Sequence, residues 1–166
     1  TARVVRTKLE RFKNESINMA PNGDVFKQLT KPDDQINLIL NGIENLLHVN
    51  FGIDEDELCI TIMHQDPKSG KWYYKFSTHT DWAQTKPETL MGSNSAAKRC
   101  LDSGEPWFYP DKNEASRKEN FRLSERDKRH GTGSVFCYPA FTENKNYTDK
   151  FIVSLITYRK VFCSPH

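Results

Sequence analysis

Two stretches, Gly104-Glu105-Pro106-Trp107-Phe108-Tyr109-Pro110 and Gly133-Ser134-Val135-Phe136-Cys137-Tyr138-Pro139, decide how this chain of 166 residues is read. Each opens on a glycine and runs through a short aromatic strand to a proline, and Pro110 ends the first strand. Before the first lies a short helix, with Ser93 placed to cap it and Ala96, Ala97, Cys100 and Leu101 on one face. Gly104 sits where a left-handed C-terminal cap is expected. After the second, Asn144-Lys145-Asn146 makes a turn, and Phe151 to Tyr158 is the most apolar strand of the chain. Between the two stretches, residues 111–130 are strongly charged and offer only Ala115, Phe121 and Leu123 for burial. The pattern is a capped helix, a strand, a charged surface lid and an apolar hairpin.

Upstream, Thr30-Lys31-Pro32-Asp33 reads as a helix start. Thr30 is placed to cap, Pro32 falls in the first turn, and Asp33 and Asp34 sit at the positive end of the helix dipole. Ile36, Ile39, Leu40, Ile43, Leu46 and Leu47 follow on one side, which predicts an amphipathic helix packed on a sheet. Leu58 to Met63 is a buried strand, and Trp72 to Thr78 returns as its partner through the turn residues Asp66 to Lys71. Trp72, Tyr74 and Phe76 alternate on one face of that partner. Residues 79–91 are irregular, as a segment covering a cleft would be. The resulting fold class is α+β, a mostly antiparallel sheet of five or six strands with helices on its faces.

Composition narrows the classes. Hydrophobic residues make up 36% and charged residues 28% of the chain, which fits one domain with polar extensions. Residues 1–30 read as a basic helix and linker, with Val5, Leu9, Phe12 and Met19 on one helical face and a turn at Pro21-Asn22-Gly23-Asp24. Residues 31–166 form the domain proper. The formal charge of +2 names no partner by itself. The basic segment 112–130 is interleaved with Glu114, Glu119, Glu125 and Asp127, so it reads as a solvated helix face and not as a nucleic-acid surface. Cys59, Cys100, Cys137 and Cys163 are scattered, which favours a reducing compartment over a disulfide framework. No signal-peptide pattern or membrane-length apolar run occurs. A start at Thr1 and a stop at His166 suggest a segment of a longer polypeptide, with a membrane tether or another domain outside it.

Ser95-Ala96-Ala97, Cys100-Leu101-Asp102-Ser103-Gly104-Glu105-Pro106-Trp107, the Gly133–Pro139 strand and Ile152 to Thr157 together resemble the GAF-domain family of sensor folds, over roughly residues 31–160. Val153 and Ser154 stand where that family's core strand often carries a glycine, and the helix that normally follows the strand is absent. The resemblance implies a non-catalytic sensory or regulatory domain of a signalling protein. It also implies an unidentified small ligand in a lidded pocket, and homodimerisation through terminal helices. The alternatives are a ligand-free interaction module and a methionine-sulfoxide reductase using Cys100 and Cys137.

No residue pattern selects the ligand or a cofactor. The family's cyclic-nucleotide signature is met only by Asn146, Lys150 and Phe151, with no appropriate acid after them, and no Cys-His pair is present for bilin attachment. His48, His64, His79, His130 and His166 are dispersed, although His64 and His79 flank one hairpin; no metal site is expected. No glycine-rich phosphate loop, nucleophile elbow or HExxH pattern occurs. Aromatic residues are the better lead, since lidded small-ligand clefts are lined by aromatics with a few polar tips. Thr78, His79, Trp82, Trp107, Tyr109 and Tyr138 are the expected pocket residues, between the sheet and segments 79–92 and 105–132.

Overall fold

In a computed structural model of the chain, Gly104 adopts φ of +69° and ends an eight-residue helix, Ala96–Ser103. The structure describes residues 5–7, 9–10, 13–14, 32–79, 85–119, 121–144 and 147–162. The chain divides into two compact units, residues 1–50 and 51–166.

In the first unit, α1 (Pro32–Phe51, whose last residue opens the second unit) begins on a proline followed by Asp33 and Asp34. Its apolar residues separate into two stripes. Leu40 and Leu47 are buried, whereas Ile39 and Leu46 are 51% and 56% exposed. The reason is geometric. Positions 40 and 47 lie two turns apart on one line, and positions 39 and 46 are turned about 100° from it. Thr30, the expected cap, lies outside the described residues, as does most of segment 1–30.

The second unit is α+β. A short 3-10 turn (Glu55–Glu57) leads into β1 (Leu58–Gln65) and β2 (Trp72–Ser77). Then come α2 (Pro87–Met91), α3 (Ala96–Ser103), β3 (Trp107–Tyr109), α4 (Lys112–Glu119) and α5 (Glu125–His130). The long hairpin β4 (Val135–Asn144) and β5 (Tyr147–Thr157) closes the fold. The five strands form one sheet in the order β2-β1-β5-β4-β3, every neighbour antiparallel. The apolar strand β5 is central. Its alternate residues Ile152, Ser154 and Ile156 share a face with Met63, Thr61 and Cys59 of β1 and with Pro139, Cys137 and Val135 of β4. Ala96, Ala97 and Cys100 of α3 pack on that face in one core with Met63, Cys137 and Ile152. No helix among the described residues is long and apolar enough to cross a membrane.

Three local expectations are corrected. Ser95, not Ser93, caps α3: its Oγ accepts the Lys98 N–H at 3.1 Å and donates to the Leu90 carbonyl at 2.9 Å. The chain tightens through Gly92 and Ser93 first, so the extended residue just before the helix is Ser95. Phe76 does not share a face with Tyr74. The register slips between Ile62 and Met63, so Ile62 pairs with Phe76 while Met63 pairs with Tyr74, and the extra residue inverts the alternation. The charged insert also buries more than its apolar residues. Ala115 and Phe121 are buried as expected, but so are Lys112, Arg126 and Asp127.

The Gly133-Ser134 step is tied into the end of β5. A Cβ on Gly133 would stand 2.2 Å from the Lys160 carbonyl oxygen and 2.6 Å from that of Thr157, so only glycine fits. The Ser134 N–H donates to Thr157 Oγ1 at 2.8 Å, and the Thr157 N–H donates to the Ser134 carbonyl at 2.9 Å. Ser134 Oγ donates to the Pro110 carbonyl and accepts the Phe162 N–H at 2.7 Å. One hydroxyl thus joins the end of β3, the start of β4 and the chain beyond β5.

Candidate functional site

The knot at Thr157 also positions a charged centre. Lys112 opens α4, and its backbone N–H donates to the Gly133 carbonyl at 2.9 Å. Its side chain runs inward, leaving the residue 1% exposed. There Lys112 Nζ donates to Asp127 Oδ1 and, at 2.9 Å, to the Thr157 carbonyl, and it lies 4.6 Å from the centre of the Tyr158 ring. The other carboxylate oxygen, Asp127 Oδ2, accepts from the Ser124 N–H at 2.8 Å and from Ser124 Oγ at 2.7 Å. Ser124 is the N-cap of α5, so this capping box holds the carboxylate that meets Lys112. A buried ion pair persists only when its remaining donors and acceptors are satisfied in this way. Burial pulls the Lys112 ammonium below the ordinary lysine value, and Asp127 beside it opposes that shift.

Arg126, 4% exposed, enters from the same helix. It donates to Cys59 Sγ at 2.5 Å and to the His79 carbonyl at 2.7 Å. Burial pushes the Tyr158 phenol well above the usual tyrosine range. Tyr74 donates to the Thr85 carbonyl at 2.9 Å, and burial raises its phenol to about 12.

These groups border a cavity of about 80 Å³ between the inner face of the sheet and α2–α5. Its sheet side is formed by Thr61, Met63, Val135, Cys137, Ser154 and Ile156. Leu90, Ala96, Ala97 and Phe121 cover it, and Lys112, Arg122, Arg126 and Asp127 supply its charges. The space holds several water molecules or a small organic molecule.

Of the expected pocket residues, none of the five that are described lines this cavity. Trp82 lies outside the described residues. Thr78 and His79 fasten the end of β2. Thr78 Oγ1 accepts the Ile60 N–H at 3.1 Å, and His79 Nε2 lies 2.9 Å from the carbonyls of both Glu55 and Leu58. Trp107 and Tyr109 do share a face, but they stand beside α3 and α4. The Arg99 guanidinium lies 5.4 Å from the Trp107 ring centre and 5.6 Å from that of Tyr109, and Tyr109 donates to Glu119 Oε2 at 3.0 Å. Tyr138 pairs across the sheet with Val153, on the face opposite Cys137, and is 51% exposed. Strand alternation makes this necessary: once Cys137 points inward, Tyr138 points outward.

His64 and His79 do not converge on one site. His64 Nδ1 hydrogen-bonds the Tyr73 hydroxyl, its Nε2 is 3.0 Å from Asp149 Oδ1, and its ring stacks on Phe151 at 4.3 Å. No group of three metal-ligating side chains occurs among the described residues. Cys59, Cys100 and Cys137 are buried free thiols. Burial raises the Cys100 thiol to about 11 and the Cys137 thiol to about 12, so both are protonated near neutrality and poor nucleophiles.

Sequence reasoning missed Lys112, Arg126 and Asp127 because it placed the whole charged insert in solvent. One available signal was the spacing of Lys112 and Ala115, which puts the lysine on the buried face of α4. Another was Ser124-Glu125-Arg126-Asp127, a capping pattern that fixes where α5 begins. Comparison with protein families, curated proteins and solved structures finds no match to this chain.

Proposed function

We propose that residues 51–166 act as a non-catalytic sensory domain of the GAF kind, taking a small molecule in the cavity between the sheet and α2–α5. The observation that carries this reading is the cavity itself, lined on its sheet side by Met63, Val135 and Ile156 together with Thr61, Cys137 and Ser154, and charged beneath helices drawn from the insert. Its Lys112–Asp127 pair is bonded to the Thr157 carbonyl, at the point where the chain leaves the central strand. Occupancy that shifts α4 or α5 therefore acts on the segment that follows β5. The resemblance of the two glycine-led blocks to GAF domains supports the same reading. The raised Cys100 and Cys137 thiols favour it over a reductase. Buried free thiols also fit a reducing, cytoplasmic setting.

A thermal-shift screen of nucleotides, amino acids, organic acids and tetrapyrroles tests the proposal. At a hundredfold excess over Kd, a bound ligand is expected to raise the melting temperature by about 5 °C or more. Ala97→Leu, which projects into the cavity, is expected to remove that rise. A flat response to every class would sink the ligand reading. It would favour a protein-docking module instead, whose surface would include the exposed Phe108 and Tyr138.

A further inference from the structure

The hydroxyl groups bordering the cavity differ in how far they are satisfied. Ser95 and Ser124 are engaged in the caps of α3 and α5, and Tyr74 donates to the Thr85 carbonyl. Thr85 Oγ1 accepts the Glu125 N–H at 3.4 Å. Two hydroxyls on the sheet stand apart from these. Thr61, 4% exposed, makes no side-chain hydrogen bond among the described residues. Its oxygen is not sealed in protein but opens on the cavity. Ser154 stands directly across from it on β5, and among the described residues its hydroxyl meets only the Cys137 thiol, at 3.3 Å. A thiol is a weak partner, so Ser154 keeps most of its bonding capacity. Thr61, Ser154 and Cys137 thus form one uncharged polar row across three strands.

The charged groups offer a ligand nothing comparable. Asp127 is taken by Lys112 on one oxygen and by Ser124 on the other. Arg126 is held by the His79 carbonyl, by Cys59 and by further contacts. Arg122 is exposed and has Glu125 within reach of its charge; that carboxyl is held low by Lys128 and, more weakly, by Arg129 and Arg122. An ion entering the cavity would shed its hydration and find no open counter-charge.

The rest of the lining sets the body of the ligand. Met63, Leu90, Phe121, Val135 and Ile156 give a water molecule no good partner. Two hydroxyls anchor one or two waters, of about 10–15 Å³ each in this measure, whereas the space is about 80 Å³. An engineered apolar cavity that admits benzene measures roughly 150 Å³. The favoured occupant is small, with a carbon body and one end that both donates and accepts.

We propose that this cavity binds a small uncharged alcohol of roughly three to five non-hydrogen atoms, as its volume limits, with the hydroxyl between Thr61 and Ser154 and the carbon chain on Met63, Val135 and Ile156. The proposal rests on the pocket reading above and names its ligand class.

The test is a ¹H–¹³C methyl NMR titration of the 166-residue chain with n-propanol, n-propyl chloride, propylammonium and propionate at matched ionic strength. Propanol is expected to give saturable shifts of the Thr61, Met63, Val135 and Ile156 methyl groups, with Kd on the order of millimolar for so small a ligand. Propyl chloride, similar in shape but without the hydroxyl, is expected to bind about fivefold more weakly, the loss of one hydrogen bond, and the two ions more weakly still. Thr61→Val is expected to weaken propanol by about the same factor and to leave propyl chloride unchanged. Ser154→Ala is expected to do the same from the other side of the row. Propyl chloride binding as tightly as propanol, or propanol binding unchanged in both variants, would overturn the hydroxyl anchor and leave the pocket standing. Either ion binding more tightly than propanol would overturn the uncharged class. If no probe binds, this proposal falls; the pocket reading falls with it only when the broader thermal-shift screen is also flat.

Discussion

Lys112 shows how much one side chain can differ from its neighbours in sequence. It stands in a stretch with Arg117, Lys118, Arg122, Lys128 and Arg129, and nothing in its own identity separates it from them. Yet Lys118 and Lys128 form exposed pairs with Glu114 and Glu125, worth little because water screens them, whereas Lys112 is sealed against Asp127. Breaking a sealed pair leaves a buried charge uncompensated. Lys112→Met is therefore expected to cost about 3–5 kcal/mol, read by urea unfolding. Lys112→Met with Asp127→Leu is expected to cost clearly less than the two single changes summed. Additive costs would show that the two groups do not act as a pair. The sequence does announce residues whose role is to shape the backbone. Gly104 and Gly133 are visible because a left-handed cap and a close approach to carbonyls each demand glycine.

Among the elements, all five strands were legible, since β-branched and aromatic runs between turn residues leave few other readings. The face each residue takes was less so. One extra residue in β2 reverses the alternation from Lys75 onward, and hydrophobicity alone does not reveal it because both faces carry aromatics. The helices of the insert were legible only as a polar stretch. Helix α5 has six residues, too few to show a periodic pattern, and depends on its cap. Ser124→Ala removes that cap and one of the donors to Asp127 Oδ2. The expected cost is about 2 kcal/mol, the sum of a cap and a charged hydrogen bond. Ser95→Ala in α3, which loses a cap without touching a buried charge, is expected to cost about 1 kcal/mol. Equal costs in chemical denaturation would separate Ser124 from the ion pair.

For the molecule as a whole, protonation links the core to stability. Cys100, Cys137, Tyr74 and Tyr158 all have acidities weakened by burial. In the unfolded chain the thiols lose their protons near pH 9, while in the folded protein they keep them to about 11 and 12. The unfolded state then binds fewer protons, so stability falls as pH rises above 9, by up to about 1.4 kcal/mol per pH unit for each thiol. Melting temperatures measured from pH 8 to about pH 10 should show this decline, and Cys100→Ala with Cys137→Ala should make it shallower, while Tyr74 and Tyr158 extend it at higher pH; an unchanged slope in the double variant would place its origin elsewhere. Strand order has a mechanical consequence as well. β5 is laddered to β1 on one edge and to β4 on the other, while β2 and β3 lie at the margins. Tension applied along the chain from residue 158 loads both of those ladders together in shear. A pull on β2 or β3, across the sheet, opens one ladder bond by bond. The protein is therefore stiffest along the strand that ends at its charged centre, and a load borne there reaches Thr157 before the sheet gives way.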